Sequence, residues 1–226
     1  MIKSKYYFND SSFPTLLLIH GWNTSDLYME VFIRPFSSRF NIISLDLFSE
    51  MNREYTVALF IEEIHQIVEQ YSSNNLVIIG HSFGGKLAYF YSLKYPVKLL
   101  VLLAPSLIKP HFSLKRAVKV KLYKIIKKCH LPIPKCLRGS KDYQNAKGFM
   151  KKTFLNCHSY YLKKGDKKNI EAIVIGFKKD DQVKKYQILK IKRFLPDSKI
   201  IMYEGNHFSY LDYVKEIVLF VNEYFE

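Results

Sequence analysis

The stretch Leu76-Val77-Ile78-Ile79-Gly80-His81-Ser82-Phe83-Gly84-Gly85 decides the fold of this chain. Its first four residues are apolar and three of them are β-branched, which predicts a short buried strand. A Gly-x-Ser-x-Gly motif follows at once, and residues 86–95 have the pattern of a helix. A serine on so tight a strand-to-helix turn takes a strained backbone conformation that lifts its hydroxyl above the edge of the sheet. The flanking glycines leave room for the neighbouring strand and helix, so Ser82 is the candidate nucleophile.

Strands and helices alternate on both sides of this motif. Further strands are predicted at 15–19, 41–46, 98–103, 170–176 and 199–203, with an edge strand at 5–8. Helices are predicted at 26–36, 54–71, 183–194 and 210–225. Because helices connect consecutive strands, the crossovers should be right-handed and the sheet mostly parallel and doubly wound, an α/β fold.

The alternation is interrupted at residues 106–168, which contain three prolines and the basic amphipathic segment 115–129. Residues 107–168 hold 18 Lys and Arg but only Asp142 and Asp166 as acids, a balance of +16 within a net charge of +15. The remaining residues hold 17 basic and 18 acidic side chains. We therefore predict a single domain over 1–226 with a basic helical cap inserted at 106–168.

Length and composition predict an ordinary globular protein. A chain of 226 residues with 48% hydrophobic and 24% charged residues can bury a core without disulfide or metal support. The three cysteines are odd in number and include no Cys-x-x-Cys pair, which favours a reducing compartment. No apolar run approaches the ~18 residues of a spanning helix, and residues 1–10 lack a signal-peptide pattern. We expect a cytoplasmic protein.

A serine hydroxyl needs a general base, and that base needs an orienting acid. In a parallel sheet these groups are expected on loops after later strands, at the same edge as Ser82. Asp180 and Asp181 follow the strand at 170–176, and His207 follows the strand at 199–203. The order serine, aspartate, histidine along the chain is the one that this type of strand-turn-helix serine requires.

The chain resembles the α/β-hydrolase superfamily, and within it the small esterases and acyl hydrolases with a helical cap. The resemblance rests on His20-Gly21 as an oxyanion loop, residues 80–85 as the nucleophile elbow, Asp180-x-x-Val183 as the acid loop and Gly205-x-His207 as the histidine loop. It implies the α/β-hydrolase fold, with a cap inserted after the equivalent of the family's sixth strand; this chain departs from the family in a short N-terminus that lacks one strand of the sheet.

Three further features depart from the pattern of this superfamily. Leu47-Phe48-Ser49 follows Asp46, where relatives often have Pro-Gly-x-Gly, and Asn23 occupies a position where glycine is frequent. The acid loop is one residue longer than usual after Gly176, so both Asp180 and Asp181 remain candidates. The spacing of Asp180 to Val183 favours Asp180.

The resemblance implies a catalytic role for each motif. Ser82 would attack an acyl carbonyl, His207 would move the proton, and Asp180 would orient the imidazole. The backbone N–H groups of Trp22 and Phe83 would form the oxyanion hole. No cofactor and no metal are expected.

Other polar residues near these motifs have structural interpretations. His20 and His81 are expected to bond loop backbone, and Trp22 is equally compatible with the core and with a pocket wall. Asp142 is a disfavoured alternative acid because it lies in the cap. The spacing of Cys129, His130, Cys136, Cys157 and His158 matches no zinc motif.

The basic cap leaves several interpretations open. Its lysines are typical of a solvated helix face, or of a surface that binds an acidic carrier protein or an anionic lipid surface. Nucleic acid is not expected, because lysine outnumbers arginine and no recognition motif is present. The aromatic residues of the cap predict an apolar acyl pocket beneath it: Phe112, Tyr123, Phe149, Phe154, Tyr160 and Tyr161.

The sequence therefore predicts a serine hydrolase that cleaves carboxylic esters or thioesters through an acyl-enzyme on Ser82. An acyltransferase on the same fold and a non-catalytic basic binding module remain as alternatives.

Overall fold

The computed structural model describes residues 1–71, 75–134, 137 and 140–225. Its centre is a seven-stranded sheet of order β1-β3-β2-β4-β5-β6-β7. The strands are β1 Lys3–Tyr7, β2 Thr15–Ile19, β3 Asn41–Asp46, β4 Leu76–His81, β5 Leu99–Leu103, β6 Ala172–Phe177 and β7 Lys199–Tyr203. Only β1, at the edge, runs antiparallel to its neighbour. The predicted doubly wound, mostly parallel sheet with an edge strand near the N-terminus is confirmed.

Helices cover both faces of the sheet. They are α1 Ile33–Phe36, α2 Val57–Tyr71, α3 Phe83–Lys94, α4 Leu114–Lys128, α5 Lys141–Asn145, α6 Gly148–His158, α7 Lys185–Ile191 and α8 Val214–Tyr224. One apolar core lies between the sheet and α2, α3 and α7, and a second lies between the sheet and α1 and α8. Strands β2, β4 and β5 are buried along their whole length because helices cover both of their faces.

Several predicted helices begin or end elsewhere, for local reasons. The helix predicted at 26–36 is a 3-10 helix at Asp26–Phe32 followed by the single turn of α1. Its buried residues Asp26, Met29 and Phe32 recur every third residue, the period of a 3-10 helix. The helix predicted from 54 begins at Val57, because Thr56 caps it, with the Thr56 Oγ1 accepting from the Leu59 N–H at 3.2 Å. The helix predicted from 210 likewise begins with a 3-10 helix at Ser209–Tyr213.

The region predicted as a cap contains α4, α5 and α6, which lie between β5 and β6. Helix α6 is anchored, with Thr153, Phe154 and Cys157 buried. Helix α4 is mostly exposed. The spacing of segment 115–129 predicts one apolar face, and of its five residues only Ile126 is half-buried while the other four are exposed: Val118, Leu122, Ile125 and Cys129. No helix among the described residues is long and apolar enough to cross a membrane.

Candidate active site

Ser82 occupies the sharp turn between β4 and α3. Its φ of 51° and ψ of −106° lie in a region that residues other than glycine rarely adopt. The tight turn brings the backbone of α3 so close to the sheet that a Cβ on Gly80 would lie 2.6 Å from the Gly84 carbonyl oxygen. A Cβ on Gly84 would collide with the Ile19 carbonyl oxygen. The glycines on both sides of Ser82 are therefore required for the turn to form.

Backbone hydrogen bonds hold the turn against the end of β5. The Ser82 N–H donates to the Leu103 carbonyl at 2.8 Å, and the Ser106 N–H donates to the Ser82 carbonyl at 3.1 Å. The Ser82 carbonyl also accepts from the Lys86 N–H at 3.1 Å, which starts the hydrogen-bond ladder of α3. These contacts offset the strained backbone conformation of Ser82.

Asp180 and His207, which lie on the loops after β6 and β7, are hydrogen-bonded to each other. The His207 Nδ1 lies 2.7 Å from Asp180 Oδ2, and both side chains are buried. The other carboxylate oxygen, Oδ1, accepts from the Gln182 N–H at 2.7 Å and the Val183 N–H at 2.9 Å. Asp181 is exposed. Of the two candidate acids, the structure brings Asp180 to the histidine.

His81 links the histidine loop to the nucleophile turn. Its Nε2 donates to the His207 carbonyl at 3.0 Å, and the two imidazole rings lie 4.8 Å apart. The Ser82 hydroxyl and the His207 imidazole, both described by the structure, do not form a hydrogen bond with each other. Such contacts are often long in free enzymes and shorten when substrate binds. Because Asp180 occupies Nδ1 of His207, Nε2 is the nitrogen left for a reacting hydroxyl.

His20 and His81 contact loop backbone, as predicted. His20 Nε2 accepts from the Leu47 N–H at 3.0 Å, so its Nδ1 carries the proton and donates to the Gly21 carbonyl at 2.8 Å. Burial lowers the pKa of His20, and burial together with the nearby His207 lowers the pKa of His81 to about 3. Both imidazoles are therefore neutral at physiological pH, and their role is to connect loops.

The loop after β2 lies directly beside the Ser82 turn. A Cβ on Gly21 would lie 2.9 Å from His81 Nδ1 and 3.4 Å from Ser82 Cβ, so only glycine allows this approach. The adjacent backbone N–H of Trp22 and the N–H of Phe83 make no hydrogen bond to other described residues. Two free N–H groups beside a serine are the donors that an oxyanion hole needs. The predicted oxyanion residues are thus close to the candidate nucleophile.

A cavity of about 750 Å³ lies between the cap and Ser82. Its apolar wall includes Trp22, whose indole stands edge-on to Phe83 at 5.4 Å and to Phe154 at 5.1 Å. Of the six cap aromatics predicted to form a pocket, Tyr123, Phe154 and Tyr161 line this cavity. The other three do not line it, because they lie on outward faces: Phe112, Phe149 and Tyr160.

Comparison with known proteins agrees with this architecture. The model of the alpha/beta hydrolase fold family matches residues 14–124, which contain the loop after β2 and the nucleophile turn. An esterase from Exiguobacterium antarcticum superposes with a TM-score of 0.74 at 15% sequence identity, covering 99% of this chain and 94% of the esterase. This chain belongs to the α/β-hydrolase superfamily.

Two curated relatives match only part of this α/β-hydrolase. A probable 1-acylglycerol-3-phosphate O-acyltransferase of Oryza sativa subsp. japonica is 29% identical over 110 residues, 43% of this chain and 27% of the relative. Epoxide hydrolase 4 of Homo sapiens is 28% identical over 102 residues, 41% of this chain and 28% of the relative. This chain thus spans about a quarter of the length of each of these relatives, and the matches leave the reaction open.

Two charged residues of the cavity wall were not assigned there from the sequence. Lys86 is buried in the wall, four residues after Ser82 on α3, and that helical spacing is the sequence signal that could have identified it. Asp142, on α5, also lines the cavity. Burial raises the pKa of Asp142, and the nearby His207 acts in the opposite direction. The hydrogen bond of His207 is to Asp180 and not to Asp142.

The cysteines and histidines of the cap do not converge within the described ranges. Cys129 is exposed and Cys157 is buried. Cys136 lies outside the described residues. No group of three or more His, Cys, Asp or Glu that could hold a metal ion occurs among the residues that are described.

Proposed function

We propose that this α/β-hydrolase is a serine hydrolase that cleaves carboxylic esters or thioesters through an acyl-enzyme on Ser82. The observation that carries the proposal is the 2.7 Å hydrogen bond between Asp180 and His207, on loops that adjoin the strained Ser82 turn. A buried carboxylate on Nδ1 selects the imidazole tautomer that can accept a proton at Nε2. A serine, a histidine in that tautomer and a cavity above them are the elements of acyl transfer.

The reaction would proceed in two halves. In the first, Ser82 Oγ attacks the acyl carbonyl while His207 Nε2 takes its proton, and the same nitrogen then protonates the departing alcohol or thiol. In the second, His207 activates a water molecule that attacks the acyl-enzyme, and Ser82 recovers its proton. The Asp180 carboxylate stabilises the imidazolium in both halves, and the N–H groups of Trp22 and Phe83 stabilise the developing oxyanion.

Active-site labelling with a fluorophosphonate probe, followed by p-nitrophenyl esters of graded chain length, tests this function. We expect labelling of Ser82 and turnover that depends on chain length, because the apolar wall of the cavity should select among acyl chains. Ser82→Ala is the matched control and should neither label nor turn over. Labelling at another residue, or turnover retained by Ser82→Ala, would contradict the proposal.

An acyltransferase is the second candidate, and the resemblance to the rice protein named as a probable 1-acylglycerol-3-phosphate O-acyltransferase favours it. The same acyl-enzyme would then pass its acyl group to a bound alcohol in place of water. Product analysis in the presence of alcohol acceptors separates the two reactions. Free acid as the main product supports the hydrolase, and a new ester supports the transferase.

A non-catalytic basic binding module is the third candidate. It is supported by the charge of the cap and opposed by the buried Asp180–His207 pair. Failure of the probe to label Ser82 in the folded protein would favour this candidate over both enzymes.

A further inference from the structure

Lys86 is a buried ammonium in the wall of the cavity, one helical turn beyond Ser82. It lies on α3 and is only 2% exposed. Residues four apart on a helix lie on the same face, with Cβ atoms about 5–6 Å apart. Ser82 and Lys86 both line the cavity, so an ester bound at Ser82 shares that cavity with the ammonium.

The contacts of this ammonium do not include an anion. Nζ donates to the Cys157 carbonyl at 3.1 Å, in the last turn of α6, and lies 4.9 Å from the centre of the Tyr161 ring. No carboxylate of the described chain lies within ion-pair distance of it. Burial lowers the pKa of Lys86 to about 8. Burying an ammonium without a counter-ion costs free energy. A lysine in such a position is therefore a candidate for a role in substrate binding or in packing.

None of the described charges around the cavity is a counter-ion of Lys86. Asp142 is the only acidic side chain among the described lining residues, and it forms no ion pair with Lys86. Lys119 and Lys124 of α4 also line the cavity. The cavity is thus apolar in most of its wall and positive in its charge balance.

We propose that Lys86 binds an anionic group of the substrate, so that preferred substrates carry a carboxylate or a phosphate on the acyl chain near the scissile ester. This proposal rests on the proposed function. A packing role for Lys86, as a link from α3 to the last turn of α6, is the competing explanation. The two differ because a packing role would change stability without changing the choice between charged and neutral substrates.

The test compares p-nitrophenyl esters that are matched in length. Mono-p-nitrophenyl succinate, glutarate and adipate are set against neutral acyl esters of equal length, and a phosphonate-terminated ester distinguishes phosphate from carboxylate. We expect wild-type kcat/KM to favour at least one anionic ester by about tenfold or more. Lys86→Met should reduce that preference about tenfold, mainly through KM, and Lys86→Arg should retain part of it. Lys94→Met, on the exposed end of α3 where Lys94 pairs with Glu62, is the control.

The pH dependence supplies a second readout. The anionic preference should decrease as pH rises through about 8, since Lys86 then loses its proton. A wild-type preference for the neutral esters, or an anionic preference that Lys86→Met retains, would overturn the proposal.

A binding assay separates this proposal from the proposed hydrolysis. Monomethyl adipate and methyl hexanoate are titrated into Ser82→Ala and into Ser82→Ala/Lys86→Met. Tighter binding of the anionic ester that the second substitution abolishes supports the anion site even if no ester is cleaved. Equal affinity of the two compounds for Ser82→Ala contradicts it.

A different observation carries a second proposal, on the outer surface of α4. Leu114, Val118, Leu122 and Ile125 form an apolar stripe along this helix, and 45–70% of each residue is exposed. Exposed apolar side chains also flank the helix at Phe112 and Leu131. The stripe is unusual for a soluble domain, because the apolar face of a surface helix normally packs against the core.

The charges of α4 indicate what covers this stripe. The helix sequence contains seven Lys and Arg and no acidic residue, and none of its described lysines forms an ion pair. Lys121 and Lys128 lie beside the apolar stripe at helical spacing. An exposed apolar stripe bordered by lysines is the pattern of helices that lie in the interface of an anionic membrane.

We propose that α4 docks on an anionic lipid surface, with its apolar stripe among the acyl chains and its lysines at the headgroups. The proposal is independent of the reaction at Ser82. An acidic carrier protein would match the lysines alone and would not need four exposed apolar side chains.

Vesicle cosedimentation tests this docking surface. We expect the full chain to bind vesicles of phosphatidylcholine with phosphatidylserine, to bind pure phosphatidylcholine weakly, and to dissociate as salt is raised. Leu122→Ser/Ile125→Ser and Lys121→Gln/Lys128→Gln should each reduce binding about tenfold. Leu189→Ser, at an exposed position of α7, is the control. No binding to anionic vesicles, binding that neither pair reduces, or binding to an acidic carrier protein in their place would overturn the proposal.

Discussion

The hydrolase core and the inserted cap obey different physical constraints. In the core, β2, β4 and β5 are buried along their whole length and the charges nearly cancel. In the cap, residues 107–168 carry a balance of +16, and most of α4 is exposed. A substituted side chain in the core contacts close-packed residues, whereas a substituted side chain on the exposed face of α4 contacts few other residues. The core therefore holds the candidate catalytic residues in place, and the cap carries the excess positive charge.

The helices of the cap differ in the same way, because α6 is anchored to the core and α4 is mostly exposed. Helix α6 is tied to the core by the Tyr55 N–H to Thr153 Oγ1 bond and by the Lys86 Nζ to Cys157 carbonyl bond. Helix α4 contributes Tyr123 and lysines to the cavity but exposes its apolar stripe. Anchoring therefore distinguishes α6, which forms a fixed cavity wall, from α4, whose outer face is available to a partner.

The largest expected effect is at Ser82. Ser82→Ala removes the proposed nucleophile and should lower kcat/KM for p-nitrophenyl esters by about 10⁴–10⁶-fold. The free energy of unfolding should change by less than about 1 kcal/mol, since Ser82 Oγ makes no hydrogen bond with any other residue that the structure describes. Steady-state kinetics and urea denaturation measure the two quantities. Near-normal turnover in the folded variant would show that Ser82 is not the nucleophile.

The second-largest expected effect is a loss of kcat at Asp180, with the neighbouring Asp181 as the comparison. Asp180→Asn should lower kcat by about 10³–10⁴-fold, because a neutral amide no longer stabilises the imidazolium of His207. Asp181→Asn is the matched control and should change kcat less than about threefold, because its side chain is exposed. Equal losses in the two variants would show that the hydrogen bond to His207 does not identify the acid.

Alanine substitutions at two glycines test how closely the core and the cap are packed. Gly84→Ala places a Cβ against the Ile19 carbonyl oxygen and should lower the free energy of unfolding by about 3 kcal/mol, or prevent folding. Gly165→Ala meets no atom within 4 Å and should change it by less than about 1 kcal/mol. Urea denaturation measures both, and similar values would contradict the contrast between the two regions.

The acid sensitivity of the core should depend on His81. Its pKa in the folded protein is lowered to about 3, so between pH 6.5 and 3 the unfolded chain takes up a proton that the folded chain does not. The free energy of unfolding should therefore fall as pH falls through this window, by up to about 1.4 kcal/mol per pH unit from this residue. His81→Gln should show a shallower decline in urea denaturation at pH 7, 6 and 5. An identical slope would indicate that His81 is not held neutral.

The smallest expected effect is on the stability contributed by α4. Leu122→Ala should change the free energy of unfolding by less than about 0.5 kcal/mol, because this side chain is largely exposed. Leu102→Ala, in the fully buried β5, should cost about 2–5 kcal/mol. Comparable costs in thermal or urea denaturation would show that the stripe packs against the domain.

The site was predictable from the sequence to the extent that its residues belong to local motifs. The turn at Ser82 and the order of Ser82, Asp180 and His207 along the chain were readable because glycine spacing and strand periodicity are local properties. Lys86 and Asp142 were not placed in the cavity wall, because they belong to no motif. Half of the predicted pocket aromatics do not line the cavity, since the presence of an aromatic residue in the cap does not indicate which way its side chain faces.

The sequence by itself determined the alternating strands and helices, the strained serine turn and the separation of charge between core and cap. Periodicity, glycine placement and composition act within short stretches and do not depend on distant contacts. Only the tertiary structure decided that Asp180 rather than Asp181 meets His207, that Lys86 is buried with no counter-ion among the residues the structure describes, and that the apolar stripe of α4 faces outward. Those outcomes depend on distances between residues far apart in the chain, which packing alone sets.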